Sequence, residues 1–222
     1  SVLVTVVLGA TLALAGISRA ETPFTGTFTF GGGGNVTSFD YNGTPIPGLT
    51  VSPLTKVGVS TSGSTGNFRA NSWPLGAVDG SDDFTGSLDP AKYFQFTITA
   101  EEGKVIDLPS ITFGLGRSAT GPRQWQWRSS VDGFASAIPV TTIAPGLTQD
   151  NGVLTNPDLN SSWVGNVLQT VGPAYQNLTS ITFRIYAYNS EATGGTGGLQ
   201  GPLTFGGTLL DGGSGPVISS FS

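Results

Sequence analysis

The sequence predicts an all-β protein: an antiparallel two-sheet β-sandwich, jelly-roll-like, preceded by a signal peptide. Three observations predict it. The composition is turn-rich and charge-poor, with 34 Gly and 14 Pro among 222 residues and only 10% charged. Between the turns lie Thr, Val, Phe and Ile, which favour strands. About ten short stretches alternate apolar and polar residues at the spacing of sandwich strands. An immunoglobulin-like sandwich is the alternative, although a chain without Cys lacks its usual disulfide landmark.

Taken in order, residues 2–17 are almost wholly apolar or small. Ser18-Arg19-Ala20 then has the small-x-small pattern of a signal-peptidase site, with cleavage expected after Ala20. The alternative is a membrane anchor, but the run is about three to four residues short of the roughly 20 that a spanning helix needs. The domain division is therefore 1–20 signal peptide, 21–210 sandwich and 211–222 linker. No stable membrane span is expected in the mature chain. Residues 24–30 (Phe-Thr-Gly-Thr-Phe-Thr-Phe) form the first strand, and the glycine run 31–34 is a loop before the next. Residues 42–91 are rich in turn signals, with short strands expected at 57–60 and 67–70 and a buried corner at Trp73-Pro74. Residues 93–99 (Tyr-Phe-Gln-Phe-Thr-Ile-Thr) make the clearest central strand of the first half, with Phe94, Phe96 and Ile98 on one face. Residues 105–117 are expected as strand, turn and strand. Residues 145–162, rich in Asn, Asp, Pro and Gly, are expected as a surface loop, and 163–171 as one more strand. A last strand spans 203–210, followed by the linker and, at 217–221, the start of a further segment.

The strand pair around which the chain is organised comes from residues 124–130 and 182–188. Alternation turns Trp125, Trp127, Phe183 and Ile185 to the core and Gln124, Gln126, Arg128, Arg184, Tyr186 and Tyr188 the other way. The tryptophans, two residues apart, are core residues in this register; an exposed stacking platform is the competing reading.

The composition also excludes chemistry. With no His there is no Ser-His-Asp triad and no His-ligated metal; with no Cys there is no thiol nucleophile and no thiolate zinc site. Glutamates past Glu21 are Glu101, Glu102 and Glu191, all in turn-like positions, and the Asp residues mostly flank Gly, Asn or Pro. No paired catalytic carboxylates and no Gly-x-Ser-x-Gly elbow stand out, so a glycoside-active enzyme is disfavoured and no catalysis is expected. The net charge of −5 without a basic cluster gives nucleic acid no electrostatic footprint. No cofactor is required. Calcium alone stays open: Asp79-Gly80-Ser81-Asp82-Asp83 has the oxygen-rich character of a calcium loop, with Asp79, Asp82 and Asp83 as its ligands. It lacks the EF-hand pattern, and short Asp-Gly loops are ordinarily turns.

Three stretches carry a family resemblance: Tyr93-Phe94-Gln95-Phe96-Thr97-Ile98, Gln126-Trp127-Arg128-Ser129-Ser130-Val131-Asp132-Gly133-Phe134, and Ile181-Thr182-Phe183-Arg184-Ile185-Tyr186-Ala187-Tyr188. Over residues 84–210 the chain resembles bacterial secreted β-sandwich proteins that carry a PEP-CTERM sorting tail. Its Ser-x-Asp-Gly element is also similar to the hairpin of discoidin-like and carbohydrate-binding sandwiches. The tail's Pro-Glu-Pro motif, apolar helix and basic terminus are not in this sequence. The resemblance implies a secreted sandwich and carries over no catalytic residue.

The expectation is thus a secreted, extracellular or cell-surface module with a structural or display role. The alternative is a glycan-binding module, its partner an extracellular glycan or matrix component. Its site would be the outward set Gln124, Gln126, Arg128, Arg184, Tyr186 and Tyr188, the tyrosines offering ring faces and the arginines forked donors.

Overall fold

The structure, a computed structural model, describes residues 19–212 apart from 32–34, 63–65 and 171. The expected signal-peptide core and the tail beyond residue 212 lie outside the described residues. In chain order the strands are β1 (Glu21–Phe28), β2 (Ser38–Phe39), β3 (Leu49–Val51), β4 (Leu54–Val57), β5 (Ser60–Ser62), β6 (Asn67–Asn71), β7 (Tyr93–Ala100) and β8 (Lys104–Arg117). They continue with β9 (Gln124–Ser129), β10 (Val140–Thr142), β11 (Thr148–Asp150), β12 (Val153–Thr155), β13 (Ser162–Gln169), β14 (Ser180–Tyr188), β15 (Gly197–Gln200) and β16 (Leu203–Asp211). The described helical residues form two 3₁₀ turns, Ser130–Asp132 and Pro173–Tyr175. No helix among the described residues is long and apolar enough to cross a membrane.

Two antiparallel sheets pack face to face. Sheet I runs β1-β16-β8-β15-β6-β5, with β13 on the other side of β8 and β10 beyond it. Sheet II runs β11-β12-β9-β14-β7-β4-β2, with β3 also on β7. Eight of these strands, β1, β7, β8, β9, β12, β13, β14 and β16, stand in the order first-eighth-third-sixth in sheet I and second-seventh-fourth-fifth in sheet II. That is the jelly-roll order, built from two Greek keys.

Alternation explains the core. Phe94, Phe96 and Ile98 of β7, Trp125 and Trp127 of β9, and Ile181, Phe183 and Ile185 of β14 are all essentially buried. They meet Phe28, Ile111, Phe113 and Phe205 from sheet I. Phe28 and Phe96 pack edge to face at 5.7 Å across the two sheets, and Phe113 lies 4.9 Å from the Trp127 ring. Both tryptophans are therefore core residues. Such rings bury large areas and set the sandwich's thickness. Trp73 is the expected buried corner, its indole N–H donating to the Ala70 carbonyl at 3.0 Å. Gly26 stands opposite Phe205 in register, and a Cβ there would meet that ring at 2.2 Å.

Two expectations are corrected. Residues 105–117 are one long strand: β8 absorbs the dipeptide 108–109 in a bulge, where Ser110 pairs with Gly206 and Asp107 with Thr208. A bulge is where a strand tolerates a proline. Residues 145–162 are not a plain loop. They contain the β11–β12 hairpin, turned by Asn151 and Gly152 at φ 46° and 81°, the left-handed pair that Asn-Gly favours.

Candidate functional site

The six residues expected to face outward do come together. β9 and β14 are neighbours, and their register pairs Gln124 with Tyr188, Gln126 with Tyr186, and Arg128 with Arg184. All six belong to the non-core side, but they are not equally open. Tyr186, Tyr188 and Gln126 are 2%, 7% and 5% exposed. The two tyrosines therefore do not offer free stacking faces, a correction to the sequence-based picture. Burial raises the Tyr188 phenol pKa, with the hydrogen bond from Gln126 Nε2 (3.2 Å) and the Arg128 charge pulling the other way. The Tyr186 ring lies beneath Arg128, 5.6 Å from its guanidinium carbon, and beside Tyr93 at 5.5 Å.

Arg128 and Arg184 face each other directly across two strands, both half-buried. Like charges in that position repel, and neither arginine has an ion-pair partner among the described residues. Rings and neutral acceptors hold them instead. The Arg184 guanidinium lies between two aromatic faces, 3.8 Å from the Phe134 centroid and 4.3 Å from that of Tyr93. Its Nε donates to Gln95 Oε1 at 2.9 Å. Arg128 Nε donates to Gln126 Oε1 at 3.0 Å, and its Nη1 donates to the Phe134 carbonyl at 2.8 Å. Both heads therefore converge on one residue, Arg184 on its ring and Arg128 on its carbonyl.

Phe134 is set there by the Ser-Val-Asp-Gly-Phe turn that follows β9. After the 3₁₀ turn Ser130–Asp132, Gly133 and Phe134 are both left-handed, at φ 69° and 64°. A bulky aromatic in that region is strained. The Asp132 carboxylate holds the turn by accepting from the Ala135 and Ser136 amides at 3.1 and 2.9 Å, and Ser130 Oγ accepts from the Thr182 amide at 3.0 Å. Tyr93, Gln95 and Phe134 thus belong to the site although the expected set omitted them. Tyr93 and Gln95 alternate with Phe94 and Phe96, a signal that places them on the same outward face.

A second polar centre lies at one end of the sandwich, around two arginines with no exposed surface, Arg117 and Arg123. Arg117 Nη2 donates to Glu191 Oε1 at 2.5 Å and to the Ala119 carbonyl; Nη1 donates to Asp158 Oδ1 at 3.2 Å and to the Pro157 carbonyl at 3.1 Å. Arg123 Nε donates to the Asn156 carbonyl at 2.9 Å, Nη1 to the Ser81 carbonyl at 3.0 Å, and Nη2 to Asp82. The Gly80 amide donates to Asp158 at 2.6 Å and, with Arg117, holds its pKa below the usual carboxylate range. Burial pushes Glu191 the opposite way despite Arg117, so of this facing pair Glu191 is the one that keeps its proton longer.

The expected calcium set is not assembled as such. Asp82 is taken by Arg123, and Asp79 groups with Asp158 and Glu191, whose carboxylate oxygens all lie within 4.8 Å of one another. Arg117 already supplies positive charge to two of those three. The chain matches no protein-family model and no curated protein sequence, so the reading of both centres rests on their geometry.

Proposed function

We propose that the chain is a secreted, non-catalytic β-sandwich module with a structural or display role at the cell surface or in the extracellular matrix. The observation that carries this reading is the covering of the aromatic rings on the outward face of β9 and β14. Its tyrosines are buried, Gln95 and Gln126 are spent on its own arginines and phenol, Gln124 on Thr155 and Asn189, and guanidinium groups cover the Tyr186, Tyr93 and Phe134 rings. Such a face shields the sheet and leaves no open ring on which a sugar could stack. Cavities of about 220 and 440 Å³ lie elsewhere, against residues 44–47. The Arg117 centre supports the same reading, since its donors fasten residues 80–82, 119, 156–158 and 191 to one another.

Fractionation of the native host with N-terminal sequencing tests the proposal. Recovery outside the cytoplasm with an N-terminus at Glu21 is the expected result. A cytoplasmic chain retaining residues 2–17 overturns it.

A further inference from the structure

We infer that Arg128 and Arg184 form a seat for the carboxylates of an acidic polysaccharide, recognised by charge and not by ring stacking. Three features lead there, and none depends on where the module is displayed. First, two guanidinium groups face each other on a protein of net charge −5, with no carboxylate neutralising either among the described residues. Asp132, the acidic group of the adjoining turn, is occupied by the Ala135 and Ser136 amides. A bound anion removes the cross-strand repulsion that the fold otherwise tolerates.

Second, the donors are pre-oriented and left over. Each Nε is used on a glutamine and one Nη on the Phe134 carbonyl, while Arg128 Nη2 and both Nη atoms of Arg184 have no partner among the described residues. Guanidinium forks of this kind match a carboxylate, and stacking between Phe134 and Tyr93 fixes the Arg184 head before any ligand arrives. The strained Phe134 turn brings ring and carbonyl to the same place, the kind of local cost found at binding sites.

Third, the surroundings favour a saccharide over a peptide. Thr55, Gln95, Arg184 and Arg128 stand in register across β4, β7, β14 and β9, one hydroxyl, one amide and two cations in a row. Neighbouring strands are about 4.8 Å apart, a step of roughly one sugar ring. The seat is mid-sheet: β4 lies beyond β7 at Gln95, and on the outer edge of β9 the Trp127 and Ser129 carbonyls already accept from the Ile138 and Phe134 amides at 2.8 Å each. A peptide therefore has no free strand edge there on which to add backbone hydrogen bonds.

Titration of the full chain with trigalacturonate, its methyl ester and pentaglutamate tests the inference, read by calorimetry and by the arginine Nε–H signals in NMR. Trigalacturonate is expected to bind, to shift the Arg128 and Arg184 signals, and to weaken as salt rises. The methyl ester and the Arg184→Gln and Arg128→Gln variants should each bind at least about tenfold more weakly, the scale of one lost charge-assisted hydrogen bond. Lys104→Gln, a change at an exposed ion pair away from the seat, should bind as wild type; an equal loss there means only general attraction and overturns the seat. No binding by trigalacturonate, or full binding by both arginine variants with unchanged melting curves, overturns it as well. Pentaglutamate binding as tightly as trigalacturonate overturns the assignment to a saccharide. Should either arginine variant fail to fold, the methyl-ester comparison on the wild-type chain decides.

Discussion

Arg117 and Arg123 at the end of the sandwich and Arg128 and Arg184 on its face solve the same problem in opposite ways. The first pair gives up all contact with water and recovers the loss through carboxylates and backbone carbonyls. The second pair keeps part of its hydration and leans on aromatic rings and amide oxygens. A buried guanidinium without a counter-charge is prohibitively expensive, whereas a half-exposed one can be stabilised by ring faces alone. An arginine's counter-ion thus separates a fastening from an available donor.

The largest expected effect breaks the fastened pair. Arg117→Met should leave Glu191 without its counter-charge, and Asp158 with only Arg123 at 4.0 Å, and cost about 3–5 kcal/mol, read from urea unfolding. A loss well under that range would place Arg117 with the face arginines instead.

Lys56 sharpens the comparison, being a cation held over a ring but inside the sandwich, 4.4 Å from the Phe68 centroid and 8% exposed. Burial lowers its pKa from 10.5 to about 8. The folded state therefore binds fewer protons than the unfolded state between those values, and stability should rise with pH across that window. Relative to Lys56→Met, the wild type should gain up to about 3 kcal/mol from below pH 8 to above pH 10.5. Parallel curves for the two proteins would show that the ring, not desolvation, dominates.

The carboxylates of the end cluster should show smaller effects of opposite sign. The depressed pKa of Asp158 stabilises the fold above its unfolded value of about 3.9, and that contribution fades as pH falls through the folded value. Asp158→Asn should flatten the acid limb of the stability curve. The raised pKa of Glu191 stabilises the fold below about 4.3 and is lost as pH rises through its folded value, so Glu191→Gln should remove a decline on that side. Both are read from melting temperature against pH.

The smallest effect belongs to the face. Arg184→Met removes cation–π contacts but also removes repulsion with Arg128, and should change stability by less than about 1 kcal/mol. A loss matching that of Arg117→Met would erase the distinction between the two pairs.

Much of this was legible in the alternation of residues. Tyr93–Ala100, Gln124–Ser129 and Ser180–Tyr188 are strands with their aromatic core faces as the sequence reads, because one buried face fixes a strand's register. The end cluster is not legible as a unit, although the same alternation marks its two arginines. Arg117 continues the inward series Ile111, Phe113, Leu115, and Arg123 precedes Trp125 and Trp127 in theirs. An arginine in a core register announces a buried partner, but nothing local says which. Glu191 is 74 residues from Arg117 along the chain. Around Asp79 the grouping is likewise non-local: the carboxylates gathered with it, Asp158 and Glu191, arrive from two distant loops. The β11–β12 hairpin had its signal in Asn151-Gly152, obscured by the polar residues around it.

The pairing of β1 with β16 has a mechanical consequence. Glu21 stands opposite Leu210, so the sandwich begins and ends at the same corner, on adjacent strands. A chain threaded through the module enters and leaves within the width of one strand pair, and the folded domain adds almost nothing to the contour length of a tether. Tension between the two ends acts across the strands and not along them. It draws β1 from β16 like a zipper, one hydrogen bond at a time from Glu21 toward Phe28, and among the described residues β1 has no other strand neighbour to share the load. The module should therefore yield at low force and release its length as slack, a compliant element in series with whatever it is joined to.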